Sequence, residues 1–556
     1  MTAIPSQYRA TLERAAHLHR QGHFSEAERL YRSLLDADLL HLFGMLRAQQ
    51  GHTDEALALL GAALQANSQS ATILSNRGEV LVVAGRLEEA VAHFDAAITL
   101  EPANAAVRNL RGNALQRLGW LEQALESHAA ALAIAPQFAQ AFSDRGSVLY
   151  DLGQFAEALN SYDAALAIQP DFAQALSNRG QTLLRLGRLD EALNSFDQAL
   201  QHAPHDASTL TNRGVVLREQ MRLPEALDSF SRAMAVDPNY ANAFYNAAAV
   251  RLLTDDFAEG WPLYEWRKQL PVPVDADRDP RPVWTGAEDL SGKTLFLHSG
   301  QGLGDTIQFF RYAMLARARR ARVILSAQDS LRRILEQAGH DIEIVGAHTV
   351  PEDFDYQASL LSLPLAFGTT LETVPANVPY LKADAARAAT WRDRIGEQGF
   401  RIGICWQGRP GTLVDIGRSI PLRQFQALAP IRGVRLISLQ KGVGREQLAD
   451  LAAGVTIETL PSDFDAGPDA FLDSAALMQS LDLVITSDTA VAHLAGALGR
   501  PVWVALQYVP EWRWLLNRED SPWYPSMSLV RQTKAGDWDG VFSQMESRLR
   551  KALVAR

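Results

Sequence analysis

Small and apolar positions return every 34 residues along the front half of the chain. Glycines stand at Gly44, Gly78, Gly112, Gly146, Gly180 and Gly214, and alanines at Ala56, Ala90, Ala124, Ala158, Ala192 and Ala226. Prolines follow in step at Pro102, Pro136, Pro170, Pro204 and Pro238, with aromatics at Phe94, Tyr162, Phe196 and Phe230. A unit such as AQALSNRGQTLLRLGRLDEALNSFDQALQHAP predicts two amphipathic helices joined at LGRLDE. The glycine and alanine let the pair pack closely, and proline closes the second helix. The ends depart from the pattern. Gly22 to Gly51 is 29 residues, a shortened or capping unit. DDFAEGWPLYEWR carries Gly260 where alanine is due and adds Trp261 and Trp266.

This period resembles that of tetratricopeptide repeats, and predicts an α-solenoid of about eight units over residues 1–268. Two residues before each repeating small residue stand Asn76, Leu110, Asp144, Asn178, Asn212 and Asn246. On the first helix of each unit these positions line the expected concave groove. An asparagine amide both donates and accepts, so a row of them can pair with a peptide backbone whatever its side chains. Arg77, Arg111, Arg145, Arg179 and Arg213 recur next door; contact with an acidic partner and salt bridges between units are both open.

The period stops near residue 268. Residues 269–289 are rich in Pro and Asp and read as a linker. Then short apolar runs (TLFLHSG, RVILSA, IEIVG, FRIGICWQG, VRLISLQ, LDLVITSD, RPVWVAL) alternate with amphipathic segments, which predicts parallel sheets with covering helices. A break near VPANVPYLKAD divides them into lobes at 290–385 and 386–556, the second closed by a C-terminal helix. In doubly wound sheets, ligands bind at the carboxyl ends of the strands.

Composition narrows the function classes. At 556 residues, 47% hydrophobic and 21% charged, the chain is expected to be soluble and multidomain. Its one cysteine, Cys405, excludes an internal disulfide framework and a multi-cysteine metal site, and suits a reducing cytoplasm. No signal peptide and no membrane span are expected. The net charge is −11, of which residues 1–270 carry roughly −9, so no nucleic-acid partner is expected.

GAEDLSGKT misses phosphate-loop spacing, and GQGLGD lacks the third glycine of a dinucleotide fingerprint. The strings Asp353-Phe-Asp355 and Asp463-Phe-Asp465 lack a strand-end context, so no metal is expected. Two motifs remain. In HSGQGLGD the glycines, Gly302 and Gly304 among them, allow close approach to the backbone before a helix opened by Asp305. In VITSDTAVAHLAGALGRPVWVAL a strand ends at Ser487 and Asp488, Thr489 and Ala490 open a helix bearing His493. That geometry aims N–H groups and a helix dipole at an anion, where the dipole contributes up to ~2 kcal/mol.

GQGLGD, CWQG…RSIPL, LISLQKG and SDTAVAHLAGALGRPVW, in this order, resemble the heptosyltransferase-type glycosyltransferases of GT-B fold over roughly residues 290–535. With repeats in front, the layout is similar to that of the protein O-GlcNAc transferases, and WRWLLNREDSPWYP to the repeat-linked branch. The resemblance implies a metal-independent, inverting transfer from a nucleotide-diphosphate sugar, with no other cofactor. It makes Asp305 the general base, puts the diphosphate on Asp488, Thr489, Ala490 and His493, and offers Arg418 and Lys441 as basic ligands. Glu446 is the nearest match to the family's ribose-binding acid. The expected acceptor is a Ser or Thr hydroxyl of a protein held by the repeats, flagellin or another bacterial surface protein by analogy of layout. A glycan or small-molecule acceptor, with the repeats serving self-association, stays open, as does a non-catalytic scaffold.

Overall fold

The computed structural model describes residues 37–275, 277–300, 302–408, 417–467 and 470–554, with scattered positions before 37. Gly22, at the shortened first repeat, and Gln301 of the glycine turn lie outside the described residues. The chain divides into two compact units, Met1–Val216 and Leu217–Arg556.

The first unit is a run of helix pairs: α1 (Ala37–Gln49) with α2 (Thr53–Ala66), α3 (Ala71–Val83) with α4 (Leu87–Leu100), α5 (Ala105–Arg117) with α6 (Leu121–Ile134), α7 (Ala139–Asp151) with α8 (Phe155–Ile168), and α9 (Ala173–Arg185) with α10 (Leu189–His202). Helix α11 (Ala207–Glu219) crosses the division. The repeating glycine faces a ring in the second helix of its pair. A Cβ at Gly78 would lie 2.6 Å from Phe94, at Gly146 2.7 Å from Tyr162, and at Gly180 2.7 Å from Phe196. At Gly112 the ring is His128, buried and bonded to Asn109 Oδ1 at 2.8 Å. Three of the five repeating arginines form ion pairs with the preceding helix: Arg111–Asp95, Arg179–Asp163 and Arg213–Asp197, each at 2.6 Å.

The second unit opens with α12 (Leu223–Val236), α13 (Ala241–Leu253) and α14 (Phe257–Tyr264), so the unit boundary falls inside the repeats. The first sheet holds β1 (Thr294–His298), β2 (Arg322–Ala327), β3 (Glu343–Gly346) and β4 (Tyr356–Ser359) in the order β3-β2-β1-β4, all parallel, with α15 (Leu303–Ala318) after β1 and α16 (Asp329–Gln337) after β2. Helix α17 (Ala385–Ile395) leads into the second sheet. That sheet holds β5 (Phe400–Cys405), β6 (Val434–Ser438), β7 (Ile457–Glu458), β8 (Leu483–Thr486), β9 (Val502–Leu506) and β10 (Met527–Arg531). Its order is β10-β9-β8-β5-β6-β7, again parallel, with α18 (Leu472–Met478) before β8 and α19 (Ala490–Ala497) after it. The closing helix α20 (Trp538–Val554) buries Val541, Phe542, Met545 and Leu549 against the second sheet's core.

Strand order reverses between β1 and β4 in one sheet and between β5 and β8 in the other. At such switch points neighbouring connections leave on opposite faces and open a crevice. The glycine turn follows β1 and the α19 start follows β8, so each surviving motif sits at a crevice.

Two features differ from a plain repeat-linker-body layout. The odd last repeat is core: Leu252, Phe257, Trp261 and Tyr264 share one apolar cluster with the strands. Trp261 Nε1 donates to Thr369 O at 2.9 Å, and its ring lies edge-on to Trp512 at 5.3 Å. Arg278, Pro282 and Trp284, in the stretch read as a linker, are bonded to the first sheet. Trp284 N donates to Gln357 O at 2.8 Å, Gln357 N to Pro282 O at 2.9 Å, and Arg278 donates to Ser299 O and Ser326 Oγ, both at 3.0 Å.

Candidate active site

The turn after β1 is held from below. Ser299 N donates to Ser326 O at 3.0 Å, Gln328 Nε2 to Gly300 O at 2.6 Å, and Thr306 Oγ1 to Gln328 Oε1 at 2.8 Å. Gly302 is the N-cap of α15, and Asp305 lies in the first helical turn. One carboxylate oxygen, Oδ1, accepts from Arg513 Nη2; the other points at Gly302, where a Cβ would lie only 2.2 Å from it. A side chain there would push the carboxylate aside. Burial lifts the Asp305 pKa above its ordinary value, Arg513 pulls it back, and Asp488 and Asp275 add to the rise.

Arg513 comes from the short turn Trp512–Trp514, which follows β9 and packs Trp512 beside α15, 6.4 Å from Phe309. Besides Asp305, it pairs with Glu511 Oε1 at 2.7 Å and donates through Nε to Gln308 Oε1 at 2.7 Å. Burial opposes the Arg513 charge, but Glu511 and Asp305 outweigh it and its pKa rises. Burial pushes Glu511 up to about 7, against Arg513. Tyr245 of α13 senses Glu511, Asp305 and Arg513, which brings the last repeat to the edge of this cluster.

At the other crevice, Thr489 is the N-cap of α19 and makes no side-chain cap bond; its Oγ1 pairs with Thr486 Oγ1 at 3.0 Å instead. A plain helix cap therefore does not account for Asp488-Thr489. Ser487 Oγ is buried and has no hydrogen-bond partner among the described residues. His493 is buried, bonded through Nδ1 to the Tyr524 hydroxyl at 3.1 Å and stacked on Trp514 at 5.4 Å. Burial, with Arg513 and Arg311 nearby, drives its pKa well down, so it is a neutral imidazole. The two motifs meet: a Cβ on Gly304 would lie 2.8 Å from His493 Cδ2 and 3.7 Å from Ala490 Cα.

The other expected ligands are less close-knit. Arg418 packs against Gly408 just past β5, where a Cβ would lie 2.7 Å from Nη2. Lys441 is turned to the chain itself, donating to Phe464 O and Asp465 O at 2.6 Å each. Glu446 accepts from Gly444 N at 2.8 Å. The Asp-x-Asp strings serve the backbone: Asp355 accepts from Thr294 N at 2.8 Å, and Asp465 from Asp473 N at 2.8 Å and Ser474 N at 3.1 Å. Among the described residues, no group of three His, Cys, Asp or Glu could hold a metal, and no helix is long and apolar enough to cross a membrane.

The repeat positions carry bonds of their own. Asn76 Nδ2 lies 2.6 Å from His41 Nε2. Asp144 collects the amides of Asn109, Asn113 and Gln140 at 2.6, 3.0 and 2.8 Å. Asn178 accepts from Gln174 at 2.9 Å, and Asn246 donates to Asn242 O at 2.8 Å. Asn212 is half-buried.

Sequence reading assigned no role to Glu511, Arg513, Gln308 or Tyr245. The one signal was an arginine set between two tryptophans in the quoted WRWLL stretch, a charge in an apolar setting that needs a buried counter-ion.

Residues 41–105, 143–207 and 178–243 match the tetratricopeptide repeat family, and 431–507 match glycosyltransferase family 9 (heptosyltransferase). The chain joins tetratricopeptide repeats to a glycosyltransferase family 9 domain. The family 9 match contains Lys441, Asp488, Thr489, Ala490 and His493. Protein FlbA of Caulobacter vibrioides is similar, 27% identical over 326 residues, which are 54% of this chain and 54% of FlbA. The chain thus spans about half the length of that curated relative. Two solved repeat proteins are similar to part of the chain. YrrB, described as a TPR protein with an unusual peptide-binding site, is 25% identical over 34% of this chain and 96% of its own, with a TM-score of 0.28. A thermophilic TPR protein of Thermus thermophilus is 26% identical over 33% of this chain and 98% of its own, with a TM-score of 0.29.

Proposed function

We propose that this chain is a protein glycosyltransferase, moving a sugar from a nucleotide-diphosphate sugar to a Ser or Thr hydroxyl with inversion and without a metal. The observation that carries the reading is the close approach of Gly304, the residue before Asp305, to His493 and Ala490, with Asp488 near enough to act on the Asp305 charge. Asp305 takes the proton of the acceptor hydroxyl as its oxygen attacks the anomeric carbon, and the nucleoside diphosphate leaves. A positioned base contributes ~10²–10⁴ in rate. The charge growing on the leaving diphosphate is met by the N–H groups at the α19 start, with the Ser487 hydroxyl and the Arg418 guanidinium; fixed donors of this kind act without reorganisation. His493, as a neutral imidazole, contributes a hydrogen bond rather than a charge.

The repeats supply the acceptor in this reading, flagellin or another surface protein, and the reaction belongs to the cytoplasm. A thermal-shift screen against a panel of nucleotide sugars tests the donor half: one donor at a hundred times its Kd stabilises by about 2.7 kcal/mol. No shift with any donor sinks the reading. Transfer to sugars but not to proteins replaces it with a glycan acceptor.

A further inference from the structure

We infer that Arg513 is a positioning residue that clamps the Asp305 carboxylate by one oxygen and leaves the other open to the acceptor hydroxyl. The inference rests on the function proposed above. It starts from geometry: each of the three guanidinium nitrogens has its own partner, Nη2 on Asp305 Oδ1, Nη1 on Glu511 Oε1 and Nε on Gln308 Oε1. The guanidinium carbon also lies 4.7 Å from the Trp512 ring centre. The Arg513 side chain is 10% exposed, whereas that of Asp305 is 28% exposed. The fork is therefore fixed and dry, and the carboxylate it holds still reaches solvent. Arg513 holds Oδ1, and Oδ2 is the oxygen turned toward Gly302.

A base in this position needs two things that conflict. It must be desolvated enough to take a proton readily, yet charged at working pH. The groups facing Asp305 are Arg513 from the turn after β9, Asp488 from the start of α19, Asp275 from the segment before β1, and Arg267 from the turn after α14. Both aspartates oppose its charge. Arg513 is the cation in contact with it, and Glu511 and Gln308 fix where that cation sits. A planar fork with three partners fixes the carboxylate's rotation as well as its charge, which a lysine ammonium does not.

The test uses the full chain with its donor and a protein acceptor. In Arg513→Gln the acidic limb of the kcat/KM profile should move up by at least one pH unit and kcat at pH 7 should fall at least tenfold, with donor affinity by calorimetry unchanged within twofold. In Arg513→Lys the limb should return toward its original position while kcat stays reduced about tenfold, because the charge is restored and the fork is not. If Arg513→Gln does not fold, Arg513→Lys decides alone: reduced kcat at unaltered donor affinity supports the clamp, and wild-type kcat overturns it. An unmoved acidic limb in a folded Arg513→Gln also overturns it. Transfer that survives Asp305→Asn is a different failure, since it removes the base and with it the function reading on which the clamp rests.

Discussion

Gly304 and His493 touch across the two halves of the α/β body, the glycine on the helix after β1 and the histidine on the helix after β8. There is no room for a methyl between them. Helix propensity favours alanine over glycine by about 1 kcal/mol, but forcing a side chain into a filled site costs about 1–3 kcal/mol. We expect Gly304→Ala to lower the melting temperature and to weaken donor binding together, because the displaced imidazole belongs to the proposed donor site. Unchanged donor affinity would show that His493 only fills space.

Donor binding should depend on the start of α19. His493→Ala removes one buried hydrogen-bonding group and Asp488→Ala alters the turn that sets the N–H groups. Loss of a hydrogen bond to a charged group is worth about 1.5–3 kcal/mol, so a ten- to hundredfold rise in Kd is expected for His493→Ala, read by calorimetry on protein whose circular dichroism is unaltered.

Glu511 ties stability to pH. Its carboxyl is pushed from 4.5 up to about 7 by burial, against the pull of Arg513. Between those values the folded chain holds a proton that the unfolded chain has released. The contribution is complete below about pH 4.5 and is lost as pH rises through about 7, so stability should fall across that window. The size is of order 1–3 kcal/mol. Glu511→Gln should flatten that part of the melting-temperature curve; a slope of the same size in the variant would assign it to another group.

Much of this was legible in the chain. The 34-residue step marked the small positions and the aromatics of the repeat, while the seating of each central glycine against the ring sixteen residues on is a finding of the structure. Strand alternation likewise marked both parallel sheets. The pairing of Glu511 and Arg513 with Asp305 was not legible, because it joins residues more than 200 positions apart through a loop with no regular period. The same holds for residues 269–289: Pro and Asp mark irregular backbone, and nothing in composition separates free chain from chain bonded to a strand edge.

Transfer should proceed in EDTA. The anion-binding elements proposed here are backbone N–H groups, a hydroxyl and a guanidinium, and Asp355 and Asp465 are already committed to backbone N–H groups. Activity lost on chelation and restored by manganese would make the leaving-group chemistry metal-assisted.

The repeat asparagines separate acceptor binding from everything else. Asp144 is fully engaged by three neighbouring amides, so Asp144→Ala should act mainly on the fold and lower the melting temperature. Asn178 differs: its side-chain oxygen accepts from Gln174 at 2.9 Å, which leaves its NH2 group as the one to test. If Asn178 and Asn212 each hold a peptide backbone, replacing both with alanine removes hydrogen bonds worth roughly 0.5–1.5 kcal/mol apiece. Two such losses raise the KM for a protein acceptor about tenfold when they add. Donor hydrolysis in the absence of acceptor should stay at the wild-type rate, since the proposed donor residues lie in the other unit. The pair of measurements distinguishes this from a structural role, which lowers the melting temperature and slows both reactions together. A double variant that modifies protein at the wild-type rate under sub-saturating acceptor rules out the asparagine row as the acceptor site and leaves the repeats to self-association or to docking through another face.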